Sequence, residues 1–225
     1  VLGVVVGIGQ HLEAARAVPA TASPPQEGLS PFLPARTVTP NHQLVDATRL
    51  AGSEDCGVCH ETIYRQWSES MHRASAIDPH VETGSHWFSR ENGVEAGRFC
   101  AGCHDPIPLL AGEFTREVRG DAGPAAGHPE GISCVICHAI DKVAREHPGN
   151  GSFRVVPPSP SLFGMGLAGR AMLQMSGTSH SEAYMKRPLF QESVFCATCH
   201  QQIDFGAELP PSADQLGHPY SQWQA

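Results

Sequence analysis

The sequence predicts a mainly helical chain with much irregular loop and little or no sheet, and three observations carry that expectation. Its 23 glycines and 19 prolines outnumber its nine Phe, three Trp and three Tyr, and the Pro-rich stretches fall between cysteine clusters instead of in one tail. Such punctuation limits regular elements to short helices. The 40% hydrophobic content is ordinary for 225 residues, yet signals for regular structure are weak, so something besides apolar packing must help to organise the chain. Finally, all eight cysteines fall into four copies of one short motif, with none left over.

The copies read Cys56-Gly57-Val58-Cys59-His60, Cys100-Ala101-Gly102-Cys103-His104, Cys134-Val135-Ile136-Cys137-His138 and Cys196-Ala197-Thr198-Cys199-His200. In a C-x-x-C-H segment the two thiols add to the two vinyl groups of a haem, and the adjoining imidazole reaches the iron as proximal ligand. Two intervening residues let both sulfurs meet one porphyrin edge. Structural zinc needs two cysteine pairs per metal and no particular residue after the second cysteine. With 13 histidines in 225 residues, four chance coincidences amount to about one in 10⁵. A thioredoxin-like site uses one such pair on a strand-to-helix turn, not four dispersed copies.

Four haem c groups also account for the composition, because each brings a large apolar macrocycle that short helices and loops can wrap. The motifs begin at residues 56, 100, 134 and 196, intervals too uneven for a solenoid. The expected architecture is therefore one compact fold organised around four clustered haems.

The second axial ligand separates electron transfer from chemistry, since a filled iron passes electrons and an open one binds substrate. Nine further histidines are available: His11, His42, His72, His80, His86, His128, His147, His180 and His218. His72 borders an apolar stripe made by Ile63, Trp67, Met71 and Ala74 at helical spacing. In an unbroken helix His60 and His72 would stand about 18 Å apart, too far to share an iron, so His72 is assigned to another haem, with the third as first choice. His180 lies in the polar segment Ser176-Gly177-Thr178-Ser179-His180-Ser181, where an imidazole has no packing duty. His86 and His128 each precede a motif by a short loop and complete the distal candidates. His80, His147 and His218 read as surface or turn residues, and His11 and His42 as non-ligands. Met165, Met172, Met175 and Met185 near the fourth motif read as core or haem packing.

Beyond the motifs, Ile63-Tyr64-Arg65-Gln66-Trp67 and Ser70-Met71-His72 follow the first copy, Gly131-Ile132-Ser133 precedes the third, and Ser193-Val194-Phe195 precedes the fourth. Over residues 53–203 the chain resembles the multihaem cytochrome superfamily that includes the tetrahaem electron carriers of ammonia oxidisers and the larger hydroxylamine oxidoreductase-like and nitrite reductase-like enzymes. The resemblance implies a mostly helical fold with haems stacked in near-parallel and near-perpendicular pairs. It also implies that His72 is a distal ligand serving a neighbouring haem. Reductases of this type carry a specialised haem with a lysine ligand or a tyrosine cross-link, and no C-x-x-C-K occurs here. The tetrahaem subunit of photosynthetic reaction centres is a weaker match, because it places methionine ahead of most motifs and three motifs here lack it.

At the N-terminus, Val1 to Gly9 is an apolar run too short to span a bilayer. Residues 1–17 read as the outer end of a membrane anchor or the tail of a signal segment, and either implies export to the periplasmic side of the cytoplasmic membrane. Prolines 19, 24, 25, 31, 34 and 40 mark residues 18–50 as an extended linker that hangs free or lies along a partner. The haem domain occupies 51–225, and an echo of Tyr64-Arg65-Gln66-Trp67 in Tyr220-Ser221-Gln222-Trp223 leaves a continuation past 225 open.

A net charge of −8 and a pI near 5.9 give no basic footprint for nucleic acid. The expected partners are redox proteins, a donor and an acceptor within a respiratory or photosynthetic membrane complex, and the expected role is electron transfer through mostly bis-histidine haems. The alternatives are an oxidoreductase acting on a small nitrogen or sulfur oxyanion at a five-coordinate haem, and a protomer of a polymeric cytochrome wire.

Overall fold

Prolines and short polar side chains open several of the helices, and glycines close two of them. The computed structural model describes residues 30–50, 52–114, 130–156, 166–175, 177–185, 187–201 and 219–224. The expected anchor segment 1–17, the first part of the linker, His128 and the expected turn residue His218 lie outside them.

The described helices are α1 (Ser53–Gly57), α2 (Glu61–Ser68), α3 (Met71–Ala74), α4 (Pro79–Asn92), α5 (Arg98–His104), α6 (Pro106–Ala111), α7 (Cys134–Ala139), α8 (Gly166–Met175), α9 (Gly177–Tyr184), α10 (Arg187–Phe190), α11 (Val194–Ala197) and α12 (Pro219–Gln224). Asp78 caps α4 by accepting from the amides of His80 and Val81, with Pro79 in the first turn, where its missing N–H costs nothing. Ser133 caps α7 from the amide of Ile136, and Gly112, at φ 76°, ends α6 in a left-handed turn. The apolar stripe bordering His72 spans two helices, not one, because Ser70 caps α3 from the amide of Arg73 and so ends the run that began with α2.

Among the described residues the sheet consists of two antiparallel strands, β1 (Ile140–Val143) and β2 (Phe153–Val155), with Arg154 and Asp141 forming a two-pronged ion pair across them. The architecture is thus mainly helical with loops and one small sheet, as the composition required.

Residues 30–50 depart from the linker expectation. Val38 donates to the Phe153 carbonyl and accepts from the Val155 amide, at 3.0 and 2.9 Å, which adds one parallel bridge beside β2. Arg36 donates to the Asn150 carbonyl and Val45 to that of Leu110. Phe32 and Ala35 are fully buried, as is Thr37, and Phe32 and Ala35 join Leu50, Leu110, Val135, Ile136 and Val155 in the hydrophobic core. Proline content favours extension, but extended backbone need not be free: Phe32 and Val38 supply apolar surface and ladder hydrogen bonds that only the chain's own core satisfies.

Replacing Phe32 with Ala is therefore expected to destabilise the folded protein by about 3–5 kcal/mol, read as a fall in the midpoint of urea unfolding of the haem-loaded protein. A linker residue would leave that midpoint unchanged.

Candidate functional site

The four C-x-x-C-H copies adopt two conformations. The second and third lie wholly within helices, α5 and α7. The first and fourth leave the helix after the first intervening residue, Gly57 or Ala197, and Cys59 and His60 both bond back to the Cys56 carbonyl (3.2 and 2.9 Å), and Cys199 and His200 to that of Cys196 at the same distances. Burial follows a different division. Val135, Ile136, Ala101, Ala197 and Thr198 anchor the last three copies in the interior, whereas Val58 of the first copy is 54% exposed.

Tertiary packing brings the copies together in pairs. The Cys56 thiol donates to Cys134, which raises the titration of Cys56 and lowers that of Cys134. Cys103 stands in the same relation to Cys199, with Cys103 pushed up and Cys199 down. Motif one therefore abuts motif three, and motif two abuts motif four.

The histidines show which residues converge. The His60 and His180 rings have centroids 6.2 Å apart with planes within 15° of parallel, and His72 and His200 have centroids 6.1 Å apart with planes at 64°. An imidazole nitrogen sits about 2.0 Å from a first-row metal, so two rings ligating one metal from opposite sides hold their centroids about 6 Å apart. Both pairs meet that spacing. His72 faces the fourth motif, not the third that the sequence favoured, while α3 and its C-cap lie across the backbone of two other motif regions: the His72 carbonyl accepts from the Ile132 amide at 2.9 Å, and the Ser75 hydroxyl donates to the His104 carbonyl at 3.0 Å.

Burial lowers the His180 pKa, and the charges of His60 and His138 lower it further, which keeps its imidazole neutral, the form a metal requires. Its Nδ1 is buried without a hydrogen-bond partner. His138 is oriented by the carbonyl of Tyr184, 2.8 Å from its Nδ1; with the proton on that nitrogen, Nε2 is left for a metal, the usual arrangement behind metal-binding histidines.

A cavity of about 500 Å³ opens between motifs one and three, edged by Cys56, Cys59, His60, Cys134, His138 and His180, with Ile63, Val135 and Met185 as apolar wall. Its size falls in the range of roughly 300–1,000 Å³ typical of cofactor sites. Paired thiols beside an imidazole, a second neutral imidazole at metal-bridging distance and an apolar wall fit a covalently attached haem. Among the described residues no three His, Cys, Asp or Glu side chains gather as a bare metal ion would need.

Residues 55–139 match the model of the cytochrome c554 and c-prime family. That segment holds the first three C-x-x-C-H copies and is similar to the multihaem c-type cytochromes of this family. No curated protein matches the chain significantly. A crystal structure of a penta-haem cytochrome c552 from Thermochromatium tepidum aligns with TM-score 0.43 and 24% identity, covering 72% of this chain and 48% of that one. The chain thus spans about half the length of that protein.

The other sequence candidates are placed differently. His86 stands exposed on α4, and among the described residues it makes no ring contact with a motif histidine. His80 and His42 are exposed as well. Met172 and Met175 are 50% and 88% exposed, so neither is core. Sequence reasoning passed over two supporting contacts. Trp67 donates its indole N–H to the Ile132 carbonyl at 2.8 Å, tying α2 to the approach of the third motif, and Gly131 lets α3 lie against that approach. Gly131 has φ +58°, and a Cβ there would lie 2.6 Å from the His72 carbonyl oxygen and 2.3 Å from the Ser75 hydroxyl.

Gly131→Ala combines left-handed backbone with that close approach and is expected to lose about 1–3 kcal/mol. Gly84→Ala, inside α4 with nothing within 4 Å of the added methyl, is expected to be neutral or to gain about 0.5–1 kcal/mol. Paired urea titrations of the two variants check the contrast.

Proposed function

We propose that this cytochrome transfers single electrons through four covalently bound haems, one at each C-x-x-C-H copy, with His60, His104, His138 and His200 as proximal ligands. The observation that carries the reading is the pair of imidazole couples at 6.2 and 6.1 Å. His180 would close the iron served by His60, and His72 the iron served by His200. A haem iron supplies one-electron redox chemistry, and an iron held by imidazole on both faces has no position for a substrate. His86 and His128 remain the candidates for distal positions at His104 and His138.

The protein's own part is to hold the groups close and to fix the irons' ligands. Thiol contacts between Cys56 and Cys134 and between Cys103 and Cys199 support two close haem couples, and electron tunnelling rates fall exponentially with distance. Bis-histidine ligation favours ferric iron more than histidine-methionine ligation does, so low potentials are expected.

We place the cytochrome on the periplasmic face of the cytoplasmic membrane, tethered through its N-terminal segment and exchanging electrons with redox subunits of a membrane complex. The support is the haem chemistry, which goes with export, and the apolar run at residues 1–9. Among the described residues no helix is long and apolar enough to cross a membrane, so the tether assigned here is the segment before residue 18.

Intact mass of the purified protein is expected to exceed the polypeptide mass by four haems, and a smaller excess would remove the corresponding motif from the scheme. In EPR of the oxidised protein, imidazole planes 15° apart give an ordinary rhombic low-spin signal, while planes 64° apart give a strongly anisotropic one at higher g. Both signals are expected together. His180→Ala should convert the first to a high-spin signal and His72→Ala the second, each creating one carbon monoxide-binding haem. If both variants stay low-spin throughout, the ligand assignment fails.

A further inference from the structure

The first motif is followed directly by its covering helix. The Tyr64 amide in α2 donates to the His60 carbonyl at 2.9 Å, and the Tyr64 and Trp67 rings pack with centroids 5.7 Å apart. Tyr64 also covers the motif itself, since a Cβ on Gly57 would meet its ring at 2.7 Å. The backbone of His60 is thus held from both sides, by its own amide on the Cys56 carbonyl and by its carbonyl under Tyr64.

The fourth motif has the same internal turn, and α12, which begins at Pro219, lies against it. The Tyr220 amide donates to the His200 carbonyl at 3.3 Å, the Ser221 amide donates to the Gln201 side chain at 3.3 Å, and the Tyr220 and Trp223 rings pack with centroids 5.9 Å apart. Tyrosine, tryptophan, their spacing of three, the ring contact and the donation from the tyrosine amide to the motif histidine's carbonyl all recur. The second and third motifs differ: Asp105 and Pro106 follow one, and β1 follows the other.

We propose that α12 is a detached copy of the helix covering the first motif, and that Tyr220 and Trp223 are positioning residues for His200, the proximal ligand assigned above to the fourth haem. The physical route is short. The bond from Tyr220 restrains the His200 peptide plane, that plane sets where the side chain leaves the backbone, and the imidazole's rotation about the iron axis follows. The angle between the His72 and His200 rings is the quantity that α12 governs. The copy is looser than its template: its tyrosine bond is longer, and Ala197 stands where the first motif has Gly57.

The inference rests on the assignment of His72 and His200 to one iron, and EPR of the full-length haem-loaded protein separates the two. Tyr220→Pro removes the donating amide at an early helix position that tolerates proline, and Trp223→Ala removes the ring partner. Both are expected to shift the strongly anisotropic signal and the midpoint potential of that haem, with the rhombic signal of the His60 and His180 haem unmoved. Trp223→Phe should restore the wild-type signal in large part. Wild-type protein lacking the anisotropic signal would overturn the ligand assignment. Wild-type protein showing both signals, with neither changed in Tyr220→Pro or Trp223→Ala, would overturn the role of α12. Equal changes in both signals would also overturn it, because they report general loosening and not positioning of His200.

Discussion

Three stretches of chain far apart in sequence meet at Gly151, and most of the fold hangs on that meeting. Its amide donates to the Thr198 carbonyl of the fourth motif at 2.9 Å, its carbonyl accepts from the buried Thr37 hydroxyl at 2.9 Å, and a Cβ on it would stand 2.9 Å from the Gly102 carbonyl oxygen of the second motif. At φ +68° the position suits glycine on conformational grounds as well. The N-terminal segment, two of the four C-x-x-C-H copies and the turn leading into β2 therefore share a single point of backbone contact. A side chain at residue 151 would meet both the Thr37 hydroxyl and the Gly102 backbone within 3 Å.

A second contact does the same for the other half of the motif cluster. Gly131 lets the approach to the third motif lie against the backbone of α3, and the ring of His72 then reaches the fourth motif while its carbonyl is held by Ile132. With aliphatic residues filling the spaces between Cys134 and Cys137 and small ones those between Cys100 and Cys103, the second and third motifs are part of the core and not appendages to it. Small, closely approached residues there take the place of bulky packing in a chain with few aromatics.

Much of this was legible from local chemistry. The motif residues, the helical class, the small share of sheet and the candidacy of His72 and His180 followed from residue type and spacing. What escaped depended on direction through space. The prolines of residues 18–50 suggested an extended linker, hanging free or lying along a partner, but in the described part Phe32 is buried in the chain's own core and Val38 finds its partners Phe153 and Val155 more than a hundred residues later, beyond the reach of any window of sequence. The stripe through Ile63 and Met71 suggested one helix, and Ser70 divided it, since a capping side chain competes effectively with weak helix propensity. The tyrosine-tryptophan echo near the end of the chain was visible as text, while its meaning required seeing the Tyr220 amide beneath His200.

By itself the sequence determined the four C-x-x-C-H copies and the chemistry they suit, because thioether formation and proximal ligation require only a thiol, two residues, a thiol and an imidazole in order. Which histidine faces which was decided by tertiary structure alone. His60 with His180, and His72 with His200, join residues separated by more than a hundred positions, and α3 reaches across to the third motif through the break after α2 and the close approach at Gly131. Covalent chemistry is local and can be read along the chain; coordination from the opposite face is a meeting of surfaces, and only the packed fold brings the surfaces together.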